Sequence, residues 1–191
     1  MIIFAREIHE TFNKQLADEL YPICRDILDK TDIDERYLFG KTTFWQQDIM
    51  KNNIHHFKNF FKFVDTEARK FINNLDLDLE DKQIHITDFW LSEMYKGGSH
   101  STHVHSPENH ISGNFYVSAE PNSSNIVFSK DMHGDLFHSI KKKKYTNVNS
   151  QDWNFSPEPG RLLMWESDLM HRVEQNNSDS RISLTFNLKI V

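Results

Sequence analysis

The first third of the chain carries apolar residues at helical spacing. They recur every three to five positions within residues 10–28, and the same trend returns within residues 54–75. One apolar stripe on each segment predicts two amphipathic helices that each bury one side. The first stripe contains Phe12, Leu16, Leu20, Ile23 and Leu28, and the second contains Phe57, Phe60, Phe61, Val64, Ala68, Phe71, Ile72 and Leu75.

From residue 83 onward, alternation of polar and apolar residues replaces the helical spacing, which predicts β-strands. The strand candidates are residues 83–91, 111–119, 125–129, 161–166 and 181–191, and Gly-, Pro-, Asn- and Ser-rich turns separate them. Helices followed by a run of antiparallel strands favour an α+β chain whose core is a β-sandwich or jelly roll. We expect one domain over residues 1–191, with mainly helical support in 1–80 and the catalytic core in 83–191.

Composition and charge narrow the classes of protein. The 191 residues carry a net charge of -6, which argues against a protein that mainly grips nucleic-acid phosphates. The lysine run at 141–144 is typical of a solvated loop. Cys24, the single cysteine, is expected to be a buried small hydrophobe without a disulfide. No leader pattern and no long apolar stretch are seen, so we expect a cytoplasmic protein with no membrane or nucleic-acid partner.

The histidines carry the first chemical signal. His103 and His105 are two residues apart, so in an extended chain both imidazoles lie on one face and can grip one metal. His171 follows an apolar strand candidate and is the best third ligand. Three protein ligands leave open positions for substrate and oxygen, as a catalytic site requires. A His-x-His pair by itself is more often a surface feature.

The last strand candidate alternates strictly and has one polar face. Arg181, Ser183, Thr185 and Asn187 share that face, which we expect to point into a barrel while the apolar face packs on the helices. A buried arginine needs an anion. A ligand carboxylate, bound by the guanidinium and the Ser183 hydroxyl, would satisfy it. An acid on the sheet surface would satisfy it equally well, and the strand by itself does not decide between them.

Several segments in order resemble the 2-oxoglutarate- and iron(II)-dependent oxygenase superfamily. They are the His-x-His pair and residues 112–117, 159–165, 171–173 and 181–187, with Arg181 ten residues after His171. Within the superfamily the chain is most similar to a group of uncharacterised oxygenases of marine bacteria and their phages. The resemblance covers residues 83–191 and fits the N-terminal helices more loosely.

The resemblance implies a double-stranded β-helix that binds Fe(II) and 2-oxoglutarate and hydroxylates a substrate of unknown identity, releasing succinate and carbon dioxide. It implies that His171 binds iron and that Arg181, with Ser183 beside it, binds the far carboxylate of 2-oxoglutarate. It also suggests a hydrogen bond from Tyr95 to the co-substrate. Asn114 and Tyr116 are expected to line the pocket, and Trp165 and Phe115 to form an apolar wall.

One position departs from the family pattern. Most members have Asp or Glu where this chain has His105, and a neutral imidazole leaves the site one unit more positive. We favour His103, His105 and His171 as the ligands, although Glu108 could supply a carboxylate or His105 could lie outside the metal shell.

Two other functions stay open at this point. One is a cupin-like three-histidine enzyme without 2-oxoglutarate, in which Arg181 faces solvent or an acid. The other is a non-catalytic jelly-roll binding or structural protein, in which His103 and His171 lie too far apart to share a metal. The polar loop at 130–153, with Asp131, His133 and Asp135, is expected to close over substrate.

Overall fold

The computed structural model describes residues 6–130, 140–146 and 149–191. In these residues two antiparallel sheets enclose a cavity, in the manner of a double-stranded β-helix. The larger sheet has six strands in the order β1-β8-β5-β10-β3-β2, and the smaller has four in the order β4-β9-β6-β7. The strands are β1 His9–Phe12, β2 Gly40–Thr42, β3 Ile84–Met94, β4 His100–His103, β5 Ile111–Ala119, β6 Ile126–Ser129, β7 Asp152–Phe155, β8 Arg161–Glu166, β9 His171–Val173 and β10 Arg181–Ile190.

Two long helices, α1 Lys14–Asp29 and α3 Lys58–Asn74, cover the outer face of the large sheet, and the short helix α2 Gln47–Asn53 leads through a 3₁₀ turn at Ile54–Phe57 into α3. Most residues of the predicted helical stripes are buried, as their spacing indicated, but Phe12 of the first stripe is exposed at the end of β1. The first helix begins later than the pattern suggested, because residues 9–12 pair with β8 as a strand. Asn13 then caps the helix by accepting a hydrogen bond from the Leu16 amide.

β10 lies in the middle of the large sheet, between β5 and β3, and separates the core from the cavity. Its apolar residues pack against the helices, and Arg181, Ser183, Thr185 and Asn187 line the cavity. The prediction that the polar face points into the barrel is confirmed. Gly113 of β5 lies directly under the Phe186 ring, where a Cβ atom would come within 2.2 Å of it.

The strand candidates match the structure closely, including the four-residue strand β6, but five other short strands were not predicted. β1, β2, β4, β7 and β9 have three or four residues each, which is too few for alternation to be visible. Asp131, His133 and Asp135 of the predicted lid lie outside the described residues. No helix in the described part of the chain is long and apolar enough to cross a membrane.

Candidate active site

Two of the histidines lie opposite each other on neighbouring strands of the small sheet. His103 is the last residue of β4 and His171 is the first of β9, and the register pairs them directly. Directly opposed residues of an antiparallel pair point to the same face. The centroids of the two rings are 4.3 Å apart. A non-catalytic module with distant histidines is therefore not supported.

His105 joins the pair from the segment that follows β4. Its backbone amide donates to the Ser167 carbonyl at 2.9 Å, and its ring centroid lies 5.0 Å from that of His171. One ligand nitrogen from each of the three histidines lies within 4.8 Å of the others. Nitrogen–metal bonds of about 2.0–2.1 Å put the ligands of one ion at most about 4.2 Å apart. Small side-chain rotations would therefore close the three nitrogens around one ion.

Hydrogen bonds orient the three rings in the same sense. Nδ1 of His103 donates to the Ser101 carbonyl at 2.8 Å, and Nδ1 of His171 donates to the Leu169 carbonyl at 2.9 Å. Nδ1 of His105 lies 2.6 Å from the side-chain oxygen of Asn187. Oxygens of this kind only accept, so each Nδ1 carries the proton and each Nε2 keeps its lone pair. In this tautomer the Nε2 atom of each imidazole can act as a metal ligand.

Burial keeps the imidazoles of His105 and His171 neutral, as metal ligation requires. Burial and, to a smaller extent, the neighbouring His103 together lower the pKa of His171 to about 3. Burial also lowers the pKa of His105, against the opposing effect of its hydrogen bond with Asn187. Neither ring has to lose a proton at neutral pH before it can bind a metal.

Arg181 lies in the same cavity and lacks an acidic partner. Its side chain is buried, with 4% of the residue exposed. Nη2 donates to the Tyr116 hydroxyl at 3.1 Å, and the guanidinium carbon lies 4.8 Å from the centroid of that ring. Its Nε is buried without a hydrogen-bond partner, and no carboxylate of the described residues forms an ion pair with it. A buried cation in this condition calls for an anionic ligand.

Further polar groups surround the space next to Arg181. Ser183 and Asn114 line the cavity, whereas Tyr116, which was also expected to line it, lies behind the cavity wall and contacts Arg181. The Asn114 side-chain oxygen accepts from the Thr185 hydroxyl at 3.0 Å, whereas its amide nitrogen is buried without a partner. Trp165 also lines the cavity, and its ring nitrogen has no partner. These open donors can serve an oxygen-rich ligand.

Three residues singled out in the sequence lie away from the cavity. The Tyr95 hydroxyl donates to Glu93 at 3.2 Å, and Tyr95 does not line the cavity. Phe115 packs against Phe60 and Phe63 of α3, on the other face of the sheet, so its expected place in the cavity wall was wrong. Glu108 is exposed and does not belong to the histidine cluster.

Other lining residues were not found from the sequence. They include Tyr37, Phe44, Trp45, Asp88 and Trp90. Asp88 and Trp90 could have been found, because they alternate in phase with Ser92 on β3 and that strand pairs with β10. The segment that contributes Tyr37 has no regular pattern to place it. Burial raises the pKa of Tyr37, so its phenol stays protonated and can donate a hydrogen bond into the cavity.

A family model described as "Putative 2OG-Fe(II) oxygenase" matches residues 88–187, more than half of the chain. The chain belongs to this 2OG-Fe(II) oxygenase family. The match contains all three histidines and Arg181. Among curated proteins, no sequence matches that of this chain.

Solved structures of other 2OG-Fe(II) oxygenases share the fold. A prolyl-4-hydroxylase of Pseudomonas putida superposes with a TM-score of 0.61 at 14% identity, over 96% of this chain and 92% of that one. HygX of Streptomyces hygroscopicus, solved with nickel and 2-oxoglutarate bound, gives 0.61 at 10% identity, over 97% and 83%. An oxidoreductase of the 2OG-Fe(II) oxygenase family from Burkholderia pseudomallei gives 0.51 at 14% identity, over 70% of this chain and 58% of that one.

The cofactors of the 2OG-Fe(II) oxygenase family suit the groups found in the cavity. Three converging imidazoles fit a divalent metal, and Arg181, which lacks an acidic partner among the described residues, fits a carboxylate. The chain is thus a 2-oxoglutarate-dependent dioxygenase with Fe(II) as its metal. The family match leaves the substrate open.

Proposed function

We propose that His103, His105 and His171 bind Fe(II) through Nε2, and that Arg181 binds the far carboxylate of 2-oxoglutarate. The proposal rests mainly on one observation. Three converging imidazoles and a buried arginine without an acid line the same cavity of about 440 Å³. When bound, Fe(II) and 2-oxoglutarate would supply the oxidising chemistry with O2 as the oxidant. We propose that one oxygen atom of O2 hydroxylates a substrate C–H bond and that the other enters the succinate formed, with carbon dioxide, from 2-oxoglutarate.

The chain itself contributes orientation and charge. The carbonyls of Ser101 and Leu169 hold two of the imidazoles with Nε2 pointing inward. Arg181 can place two N–H groups on a carboxylate, with the Ser183 hydroxyl beside it. Asn114 and Tyr37 can donate to the remaining oxygens. Together these groups would fix the co-substrate in one orientation before substrate enters.

Apolar side chains restrict water at the same site. Trp165 lies across from His171 with 4.9 Å between ring centroids, and Ile126 and Val173 cover the neighbouring wall. A dry wall strengthens the hydrogen bonds of Arg181 and limits side reactions of the oxidant.

Metal and co-substrate binding are tested separately. Calorimetry with Ni(II), followed by 2-oxoglutarate, measures the two steps, and succinate release with Fe(II) and oxygen measures turnover. His171→Ala should abolish metal binding, whereas Arg181→Ala should keep it and weaken 2-oxoglutarate binding by at least about 100-fold. His85→Ala, an exposed histidine on β3, is the matched control and should change neither. Wild-type protein that binds no metal and releases no succinate would refute the proposal.

A second function is favoured by one feature, the absence of a carboxylate from the histidine cluster within the described residues. A three-histidine enzyme that works without 2-oxoglutarate would keep its metal chemistry in Arg181→Ala. In the first proposal that variant has lost its co-substrate.

The single cysteine, Cys24, is buried and free, which supports a cytoplasmic location as part of the proposal.

A further inference from the structure

The outer part of the cavity is built from aromatic rings. Phe44 lies between two tryptophans, with its centroid 5.2 Å from that of Trp45 and 5.0 Å from that of Trp90, and both contacts are edge-on. Phe44 is 43% exposed and Trp45 is 39% exposed. Exposed rings at a cavity entrance are costly to leave in water, so they are expected to cover part of a ligand.

Charge is divided between the two ends of the cavity. Arg181 is the one Lys or Arg, and Asp88 the one Asp or Glu, among the described residues that line it. Arg181 pairs with Met94 and Asn187 pairs with Asp88 on the same ladder, six positions further along β3. At about 3.3 Å per residue, the positions of Met94 and Asp88 are about 20 Å apart along β3. The anionic co-substrate therefore has its partner at one end, and a carboxylate marks the other.

Asp88 lies beside the aromatic rings and close to the metal side of the cavity. It shares a face of β3 with Trp90, which is two residues away, and the Trp90 ring centroid lies 6.1 Å from that of His105. Asp88 also pairs with Asn187 of β10, whose side-chain oxygen lies 2.6 Å from Nδ1 of His105. Asp88 is exposed and forms no hydrogen bond or ion pair with the described side chains. Its charge is thus available to a ligand that reaches the metal.

Aromatic rings and a carboxylate are the two kinds of group that together bind an organic cation. The face of an aromatic ring attracts an ammonium group, and a carboxylate adds a direct ionic contact. Trp45 already carries the Arg36 guanidinium at 4.3 Å from its ring centroid, and Asp34 neutralises that arginine through two hydrogen bonds. The remaining ring surface of the entrance, on Phe44 and Trp90, faces the cavity.

We propose that the substrate carries a positively charged amine, which Asp88, Phe44 and Trp90 bind at the entrance while an adjacent C–H bond reaches the metal. This inference rests on the proposed function and adds the substrate class to it. An uncharged or anionic group of the same shape gains nothing from Asp88 and is repelled if it is anionic.

The test uses probes with one carbon skeleton and different charge. Binding of hexylamine, hexyltrimethylammonium, hexanol and hexanoate is measured by calorimetry on the wild-type protein loaded with Ni(II) and 2-oxoglutarate. Both cations should bind on the order of tenfold more tightly than hexanol, and hexanoate should bind most weakly. The quaternary ammonium cannot ligate a metal, so a preference shared by both cations excludes binding through Ni(II).

Variants then assign the preference to the entrance. Asp88→Asn should reduce the cation preference over hexanol by about fivefold, and Phe44→Leu should reduce it by about twofold. Asp81→Asn removes an equal charge from an exposed position outside the cavity and should keep the preference. Equal binding of all four probes, or an unchanged preference in Asp88→Asn, would overturn this inference alone. Loss of Ni(II) or 2-oxoglutarate binding by the wild-type protein would overturn the proposed function as well.

Discussion

Two arginines contact the same end of the large sheet from opposite faces, and their surroundings differ. Arg25 of α1 donates to both oxygens of the buried Glu93, at 2.6 and 2.9 Å. Arg181, on the cavity face, has a tyrosine hydroxyl and no carboxylate. Arg181 is buried and Arg25 is half-buried, but Arg25 is neutralised within the fold and Arg181 is not. The paired arginine fastens a helix to the sheet, whereas the unpaired one is prepared for a ligand.

The largest expected difference comes from removing the unpaired cation. Arg181→Ala should weaken 2-oxoglutarate binding by about 100- to 1,000-fold, because the far carboxylate loses a bidentate charged partner. Stability should stay unchanged or rise slightly, since an uncompensated buried charge disappears. Calorimetry and urea unfolding measure the two effects. A large loss of stability with intact 2-oxoglutarate binding would reverse the roles of the two arginines.

Removing the paired cation should have the opposite profile. Arg25→Ala leaves the Glu93 carboxylate buried without its main partner, which should lower the free energy of unfolding by about 2–4 kcal/mol. Affinity for 2-oxoglutarate should change by less than about threefold. Urea unfolding and calorimetry are the measurements. Arg69→Ala breaks an exposed pair with Asp65 as a control and should cost no more than about 0.5 kcal/mol.

The stabilisation of the protein by bound 2-oxoglutarate should distinguish Arg25 from Arg181, because only Arg181 is proposed to contact this ligand. In the presence of Ni(II), 2-oxoglutarate at 100 times its Kd should stabilise the wild-type protein by about 2.7 kcal/mol. Arg25→Ala should gain a similar increment, and Arg181→Ala should gain almost none. Thermal unfolding measures this. 2-Oxobutyrate, which lacks the far carboxylate, is the control ligand, and equal stabilisation by both ligands would refute the role of Arg181.

Acid should weaken the ion pair between Arg25 and Glu93, because it protonates the Glu93 carboxylate. Burial by itself raises the pKa of Glu93, but hydrogen bonds from Arg25 and Ser180 outweigh it and bring the pKa below its ordinary value of 4.5. The folded state therefore binds this proton less readily than the unfolded chain. The stability from this group is fully present above the ordinary value and is lost as the pH falls through the folded pKa. Urea unfolding between pH 7 and pH 3 should show this loss in the wild-type protein and a smaller one in Glu93→Gln.

The smallest expected loss of affinity comes from removing the Tyr116 hydroxyl, which contacts the Arg181 guanidinium. Tyr116→Phe removes the hydroxyl that accepts from Nη2 and keeps the ring under the guanidinium. Binding of 2-oxoglutarate should weaken by about three- to tenfold, the value of one hydrogen bond that orients a charged group. Calorimetry again measures it. An unchanged affinity would mean that the ring, without its hydroxyl, is enough to orient Arg181.

The sequence predicted the long helices and strands, because apolar and polar residues recur in them with a regular period. The alternation in β10 was long enough to place Arg181 and Ser183 on the cavity face and Phe186 on the core face. Tyr95 follows the end of β3, where the alternation no longer fixes the direction of a side chain, and the structure pairs it with Glu93. Tyr37 reaches the cavity from an irregular segment, which no pattern could assign.

Asn187 connects the last strand of the fold to the electronic character of the proposed metal site. Its side-chain oxygen accepts from Nδ1 of His105 at 2.6 Å and from the Ser112 hydroxyl at 2.8 Å, next to a bulge in the pairing of β10 with β3. The partner of the distal imidazole nitrogen sets how much electron density a histidine gives to its metal. A carboxylate at the position of His105 would carry a negative charge that a neutral imidazole does not. An aspartate at position 187 would supply that charge next to His105, through the hydrogen bond to its Nδ1. The basicity of the ligand set can thus be adjusted from the sheet, without replacing any atom that touches the iron.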